Sequence, residues 1–108
     1  MSECIVLVTA PNETCAKELA KKALNANLCA CVNIQNSITS LFHWDGKVQE
    51  ESECMLIIKT TEEAYELLEQ CIKTHHPYDV PEIIAIPIIK GHEPYLSWLK
   101  ESVKKENQ

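Results

Sequence analysis

Residues 31–60 hold two long β-prone runs that meet at Asp45-Gly46, and no compact fold of so short a chain can hide them. The segment is rich in Val, Ile, Thr and Phe, which suit a pleated surface, and an Asp-Gly step between such runs signals a hairpin because both residues tolerate a left-handed backbone. The thirteen residues from Val32 to Trp44 would reach roughly 44 Å at ~3.4 Å each. A folded chain of 108 residues has a radius of gyration near ~13 Å. The ribbon therefore overreaches its own body, leaving open strand edges and Phe42, Trp44 and Val48 without cover. A homo-oligomer built through the sheets is the simplest remedy.

The register of the ribbon follows from its apolar positions. Val32, Ile34, Ile38, Phe42 and Trp44 on one arm and Val48, Cys54, Leu56 and Ile58 on the other are all even-numbered, so facing residues should both be even. That predicts a three-residue loop of Trp44, Asp45 and Gly46, pairing Phe42 with Val48, Ile34 with Leu56 and Val32 with Ile58. The alternation weakens at Asn36-Ser37, where a bulge would fit. Met55 and Ile57 point away from this set, which implies that the second face of the sheet is covered as well.

The rest of the chain reads as alternating elements. Cys4 to Thr9 is a β-branched run ended by Pro11. Asn12 then caps a helix whose apolar residues Ala16, Leu19, Ala20, Ala23 and Leu24 share one face. The same spacing returns at Ala64, Leu67, Leu68, Cys71 and Ile72, after Thr60 and Glu63 placed as a capping box. Glu82 to Ile89 is a further strand, and Glu93-Pro94 opens a terminal helix in which Pro94 suits the first position. The order strand, helix, strand, strand, helix, strand, helix predicts a ferredoxin-like α+β sandwich, βαββαβ with a C-terminal helix, as one domain over residues 1–108 with its core at 4–103 and a solvated tail at 104–108.

Composition narrows the function. The net charge is −6, and all ten basic residues are lysines. An acidic chain without a guanidinium group is poorly suited to nucleic acid or an anionic membrane. No apolar run is long enough to cross a bilayer and no export signal is legible, so a cytoplasmic location is expected. Six cysteines beside only two glycines suit mostly buried thiols in regular elements better than a disulfide scaffold.

Six motifs carry a resemblance. Thr-Ala-Pro-Asn-Glu at 9–13, Ala-Cys-Val-Asn at 30–33, Ser-Leu-Phe-His-Trp-Asp-Gly-Lys at 40–47, Lys-Thr at 59–60, His-His-Pro-Tyr-Asp-Val-Pro-Glu at 75–82 and Tyr-Leu-Ser-Trp-Leu at 95–99 together resemble the CutA divalent-cation tolerance proteins. The likeness runs from Cys4 to Val103. It implies a ferredoxin-like fold, an intertwined homotrimer and kinship with PII-type signalling trimers. Bacterial members of that family are associated with tolerance of copper and other divalent ions, and animal members with anchoring of acetylcholinesterase. Some members hold copper through a first-strand cysteine together with the two histidines of His-His-Pro-Tyr. Here the histidines are His75 and His76, while the first-strand position is Val8.

Each candidate site has two readings. His75 and His76 are the best metal ligands in the chain, since neutral imidazole suits copper, zinc and nickel. Against this, adjacent side chains diverge and Pro77 forces His76 into an extended backbone, so a structural role stands beside the metal role. Cys71 lies one turn before His75, and Cys29-x-Cys31 lacks the second pair of a zinc knuckle; both read as core thiols. Glu50, Glu51 and Glu53 read as a solvated hairpin face. Trp44, Glu51, Lys59 and Tyr78 would line a cleft between subunits, or else act as interface anchors.

Three functions follow: a cytosolic homotrimer that binds copper or another divalent ion in response to metal, needing none for folding; a PII-like trimer that takes a small effector in an intersubunit cleft; and a trimeric scaffold for a protein partner. No enzyme is expected, because no cysteine is shown with both a base and an orienting group.

Overall fold

The computed structural model describes residues 2–103; the expected tail at 104–108 lies outside them. Its elements are β1 (Glu3–Ala10), α1 (Glu13–Asn25), β2 (Cys31–Trp44), β3 (Lys47–Thr61), α2 (Tyr65–His75), β4 (Ile83–Pro87) and α3 (Glu93–Ser102). The four strands form one antiparallel sheet in the order β2-β3-β1-β4. This is the ferredoxin-like arrangement: α1 and α2 each connect two strands that are not hydrogen-bonded neighbours, and α3 follows the last strand.

The even-numbered residues of β1 and β3, Cys4, Val6, Val8, Cys54, Leu56 and Ile58, are buried with Ala16, Leu19, Ala20 and Ala23 of α1 and Leu68 and Ile72 of α2. One face of the sheet thus makes the core with the two helices. The odd-numbered residues, among them Ile5, Leu7, Met55 and Ile57, form the opposite face with Ile84 and Ile86 of β4, which are exposed in the single chain. A smaller cluster of Ala64, Leu99 and Val103, with Ala30 and Ile88, holds α3, and Lys100 of α3 pairs with Glu3 of β1 at 3.5 Å.

Local signals explain most element ends. Asn12 caps α1 as expected, its side chain accepting the Cys15 N–H at 2.8 Å. The capping box at Thr60 does not form. β3 continues to Thr61, the Thr60 hydroxyl donates instead to the Leu28 carbonyl at 2.7 Å, and Thr61 Oγ1 accepts from Ala64 N–H in a separate turn ahead of α2. Tertiary pairing has taken the residue that local spacing assigned to the cap.

The hairpin register needs one correction. Val32 faces Ile58 and Ile34 faces Leu56 as predicted, but Phe42 faces Gln49 and Trp44 faces Lys47. The loop is the two residues Asp45 and Gly46, both left-handed (φ 56° and 76°), the geometry that matches strand twist. The odd residue is absorbed at Asn36-Ser37, where Ser37 takes φ 61° and the ladder shifts by one. Beyond that bulge the even-numbered Ile38, Phe42 and Trp44 lie on the face of Ile57, no longer on that of Ile34.

Candidate functional site

β1 pairs with β3 only from residue 54 to residue 61. Where that support stops, the loop after α2 closes over the end of β1. His76 ends α2 with an extended backbone, as a residue before proline must, and this turns its ring inward to 8 % exposure. Its Nε2–H donates to the Thr9 carbonyl at 2.7 Å, and its Nδ1 accepts the Tyr78 N–H at 3.1 Å. The two bonds together assign the Nε2–H tautomer. The Tyr78 ring packs beside the imidazole, centroids 4.7 Å apart, and the Tyr78 hydroxyl donates to Glu53 Oε2 at 2.7 Å. Burial first, then the bond to Glu53 and the charges of Glu53 and Glu51, push the Tyr78 hydroxyl pKa up. It is held as a proton donor, unsuited to act as a base or nucleophile near neutral pH.

The histidine pair is therefore split. Both nitrogens of His76 have backbone partners, whereas exposed His75 places Nδ1 2.8 Å from the carbonyl of Cys71, leaving Nε2 facing solvent. As arranged in one chain the two rings do not fit a shared metal ion. Among the described residues no three His, Cys, Asp or Glu side chains are grouped to hold one. Cys71 meets His75 through its carbonyl, not its thiol. Val8 is fully buried in the core. Cys4, Cys29 and Cys54 are buried, while Cys15, Cys31 and Cys71 are half-buried. Burial, followed by the proximity of Cys31 and Cys71, raises the Cys29 pKa to about 12, so a metal would have to displace a firmly held proton there.

The four cleft residues occupy different places. Glu51 acts electrostatically on Tyr78, but Trp44 stands at the hairpin tip, 66 % exposed. Lys59 faces Cys31 at the base, eight positions from Glu51 along β3, or ~27 Å. Only a second chain could complete a cleft containing all four. Glu53 is the residue that sequence reasoning missed: grouped with Glu50 and Glu51 as solvated, it is buried instead. The missed signal is its position opposite Ile38 at the bulge, where the loop carrying Tyr78 comes down.

An antiparallel ferredoxin-like domain with an overlong, partly unsupported hairpin and a His-Tyr clasp at the point of divergence defines the structural class. The CutA1 divalent ion tolerance protein model matches residues 4–102, and the chain belongs to that family. The divalent-cation tolerance protein CutA of Thermus thermophilus is 45 % identical over 100 residues, covering 93 % of this chain and 97 % of that one. The crystal structure of CutA1 from Oryza sativa superposes with a TM-score of 0.95 at 44 % identity, covering 98 % of this chain and 97 % of that chain. The periplasmic divalent cation tolerance protein CutA of Archaeoglobus fulgidus gives a TM-score of 0.91 at 37 % identity, covering 94 % and 99 %. These relatives are named for tolerance of cations, not for catalysis. No helix among the described residues is long and apolar enough to cross a membrane.

Proposed function

We propose that this chain acts as a cytoplasmic homotrimer in divalent-cation tolerance, binding copper or another divalent ion in response to metal and catalysing no reaction. The observation that carries the metal reading is the Nε2 of exposed His75, the one imidazole nitrogen of the pair without a protein partner among the described residues. One such nitrogen per chain makes a weak site, micromolar or poorer, equivalent to about 8 kcal/mol or less. The trimer is supported by the apolar sheet face of Ile5, Leu7, Met55, Ile57, Ile84 and Ile86 and by the uncovered half of the hairpin.

Sedimentation at micromolar concentration should give one species of three times the chain mass, and Ile57→Asp should disrupt it more than Glu50→Lys; a folded monomer of the parent chain would overturn the trimer. Titration with Cu(II) and Zn(II) should give weak binding that His75→Ala removes. Tight binding that survives His75→Ala would move the site to the thiols. A second reading, an effector-binding trimer, is favoured by the Glu53–Tyr78 pair with Glu51 nearby. A thermal-shift screen of nucleotides and metabolites separates it, since a stabilising effector whose action is lost in Tyr78→Phe would replace the metal reading.

A further inference from the structure

At the base of the hairpin, on the sheet face away from α1 and α2, Cys31 and Lys59 are directly opposed across β2 and β3. Opposed residues in such a ladder hold their Cβ atoms about 4.5–5.5 Å apart, so the pair is imposed by the backbone. The Lys59 ammonium donates to Cys31 Sγ at 4.0 Å and to Asn33 Oδ1. The Cys31 thiol in turn approaches Asn33 Oδ1 at 3.8 Å. Tyr95 of α3 closes the group, its hydroxyl pKa raised by burial and by the neighbouring Cys31. A thiol and an amine are thus presented to each other with an amide acceptor that draws on both, at a site outside the buried core. Neither the tolerance reading nor the clasp around His76 uses them.

We propose that Cys31 and Lys59 form a site of reversible oxidative cross-linking, in which dioxygen joins Sγ to Nζ through a single oxygen atom. The thiol and the ammonium react with one dioxygen to give the S–O–N bridge, one water and one proton. Sulfur and nitrogen each lose two electrons. One oxygen atom enters the bridge, and the other leaves as water with the thiol hydrogen and one amine hydrogen. The remaining ammonium proton goes to solvent. Two equivalents of an added dithiol reverse the bridge: they supply four electrons and four hydrogens, restore thiol and amine, release the bridging oxygen as water, and are themselves oxidised to two disulfides.

The experiment compares whole protein held under argon with protein held in air-saturated buffer, by intact mass and by tryptic peptides. The expected product in air gains one oxygen and loses two hydrogens. Because trypsin cannot cut after a bridged Lys59, it joins peptide 23–47 to peptide 48–73. The product should disappear with dithiothreitol and be absent from Cys31→Ser and from Lys59→Arg, which keeps the positive charge should Lys59→Ala fail to fold. A disulfide would lose two hydrogens without gaining oxygen, and a sulfinic acid would gain two oxygens without joining peptides. Either of these in place of the bridge, the same product in Lys59→Arg, or no change of mass in air would overturn the proposal.

Discussion

The two halves of the hairpin are continuous in sequence and opposite in physical situation. In the base, residues 31–35 and 54–61, β3 has β1 beside it throughout and β2 as well from Met55 to Lys59, and Leu56 and Ile58 have no exposure at all. In the arm, residues 38–44 and 47–53, β3 has only β2 beside it, and from Ile38 to Ser52 nothing is buried. Leu41 and Val48 are each 64 % exposed. Both halves carry β-branched residues, but the base holds no aromatic residue, whereas the arm adds Phe42 and Trp44 and the acids Glu50, Glu51 and Glu53. Where β1 ends decides which apolar side chains become core and which remain unpartnered surface.

The strongest way to test that contrast is to remove equivalent apolar groups from each half. Leu56→Ala should cost roughly 2–5 kcal/mol, because it leaves a cavity in a packed interior. Val48→Ala should change the stability of the single chain by about 0.5 kcal/mol or less, as surface substitutions do. Denaturant unfolding of both variants at several chain concentrations checks this, and a Val48→Ala loss that equals that of Leu56→Ala and does not vary with concentration would show that the arm is packed within its own chain. A smaller effect is expected at the boundary. His76→Ala removes the clasp from Thr9 at the end of β1 and should destabilise by about 1–3 kcal/mol, whereas His75→Ala should be near neutral. Reversed sensitivities in thermal melts would contradict the assigned bonds.

At the bulge, Ser37→Val should cost about 1–2 kcal/mol and Ser37→Gly should be neutral or mildly stabilising, since a left-handed backbone penalises a Cβ and penalises a β-branched one further. A favourable Ser37→Val would mean that the residue is not left-handed in solution. Smallest near neutrality is an alkaline effect at Cys29, just before the base. Its thiol pKa is raised from 9.0 to about 12 in the folded chain, so between those values the folded state retains a proton that the unfolded chain releases. The contribution is fully present below pH 9 and declines toward pH 12. Cys29→Ala should flatten that decline in pH-dependent unfolding; an unchanged profile would assign it to other groups.

Element order, the Asn12 cap and the base of the hairpin were legible because each rests on local chemistry or on a simple alternation. The arm register was not. Even-numbered apolar residues suggested one continuous face, and a ladder that shifts by one at Asn36-Ser37 preserves that parity in the numbering while reversing it in space. His76 and Glu53 escaped for a related reason. Neither sits on an apolar stripe, and both are buried by a loop that meets the sheet across a separation of 67 residues for His76 and Thr9, and of 25 for Tyr78 and Glu53. Pattern reading along the chain sees neighbours, not what a distant loop will cover. The family motifs pointed to His75 and His76 as a pair, but only their hydrogen bonds distinguish a solvent-facing ring from a structural one.

The shift at Asn36-Ser37 also separates where the arm points from what it is made of. Because Gln35 still faces Met55 on one side and Ile38 faces Glu53 on the other, deleting Ser37 would leave those partners in place and allow Asn36 to oppose Cys54 in an uninterrupted ladder. Only the local bend and extra twist would be lost. Gaining or losing one residue there would therefore steer Phe42 and Trp44 through space as a unit, with their chemistry unaltered. A lineage could retune how such arms meet their neighbours through a change of length at a single position, without first finding new side chains for the surface being reached.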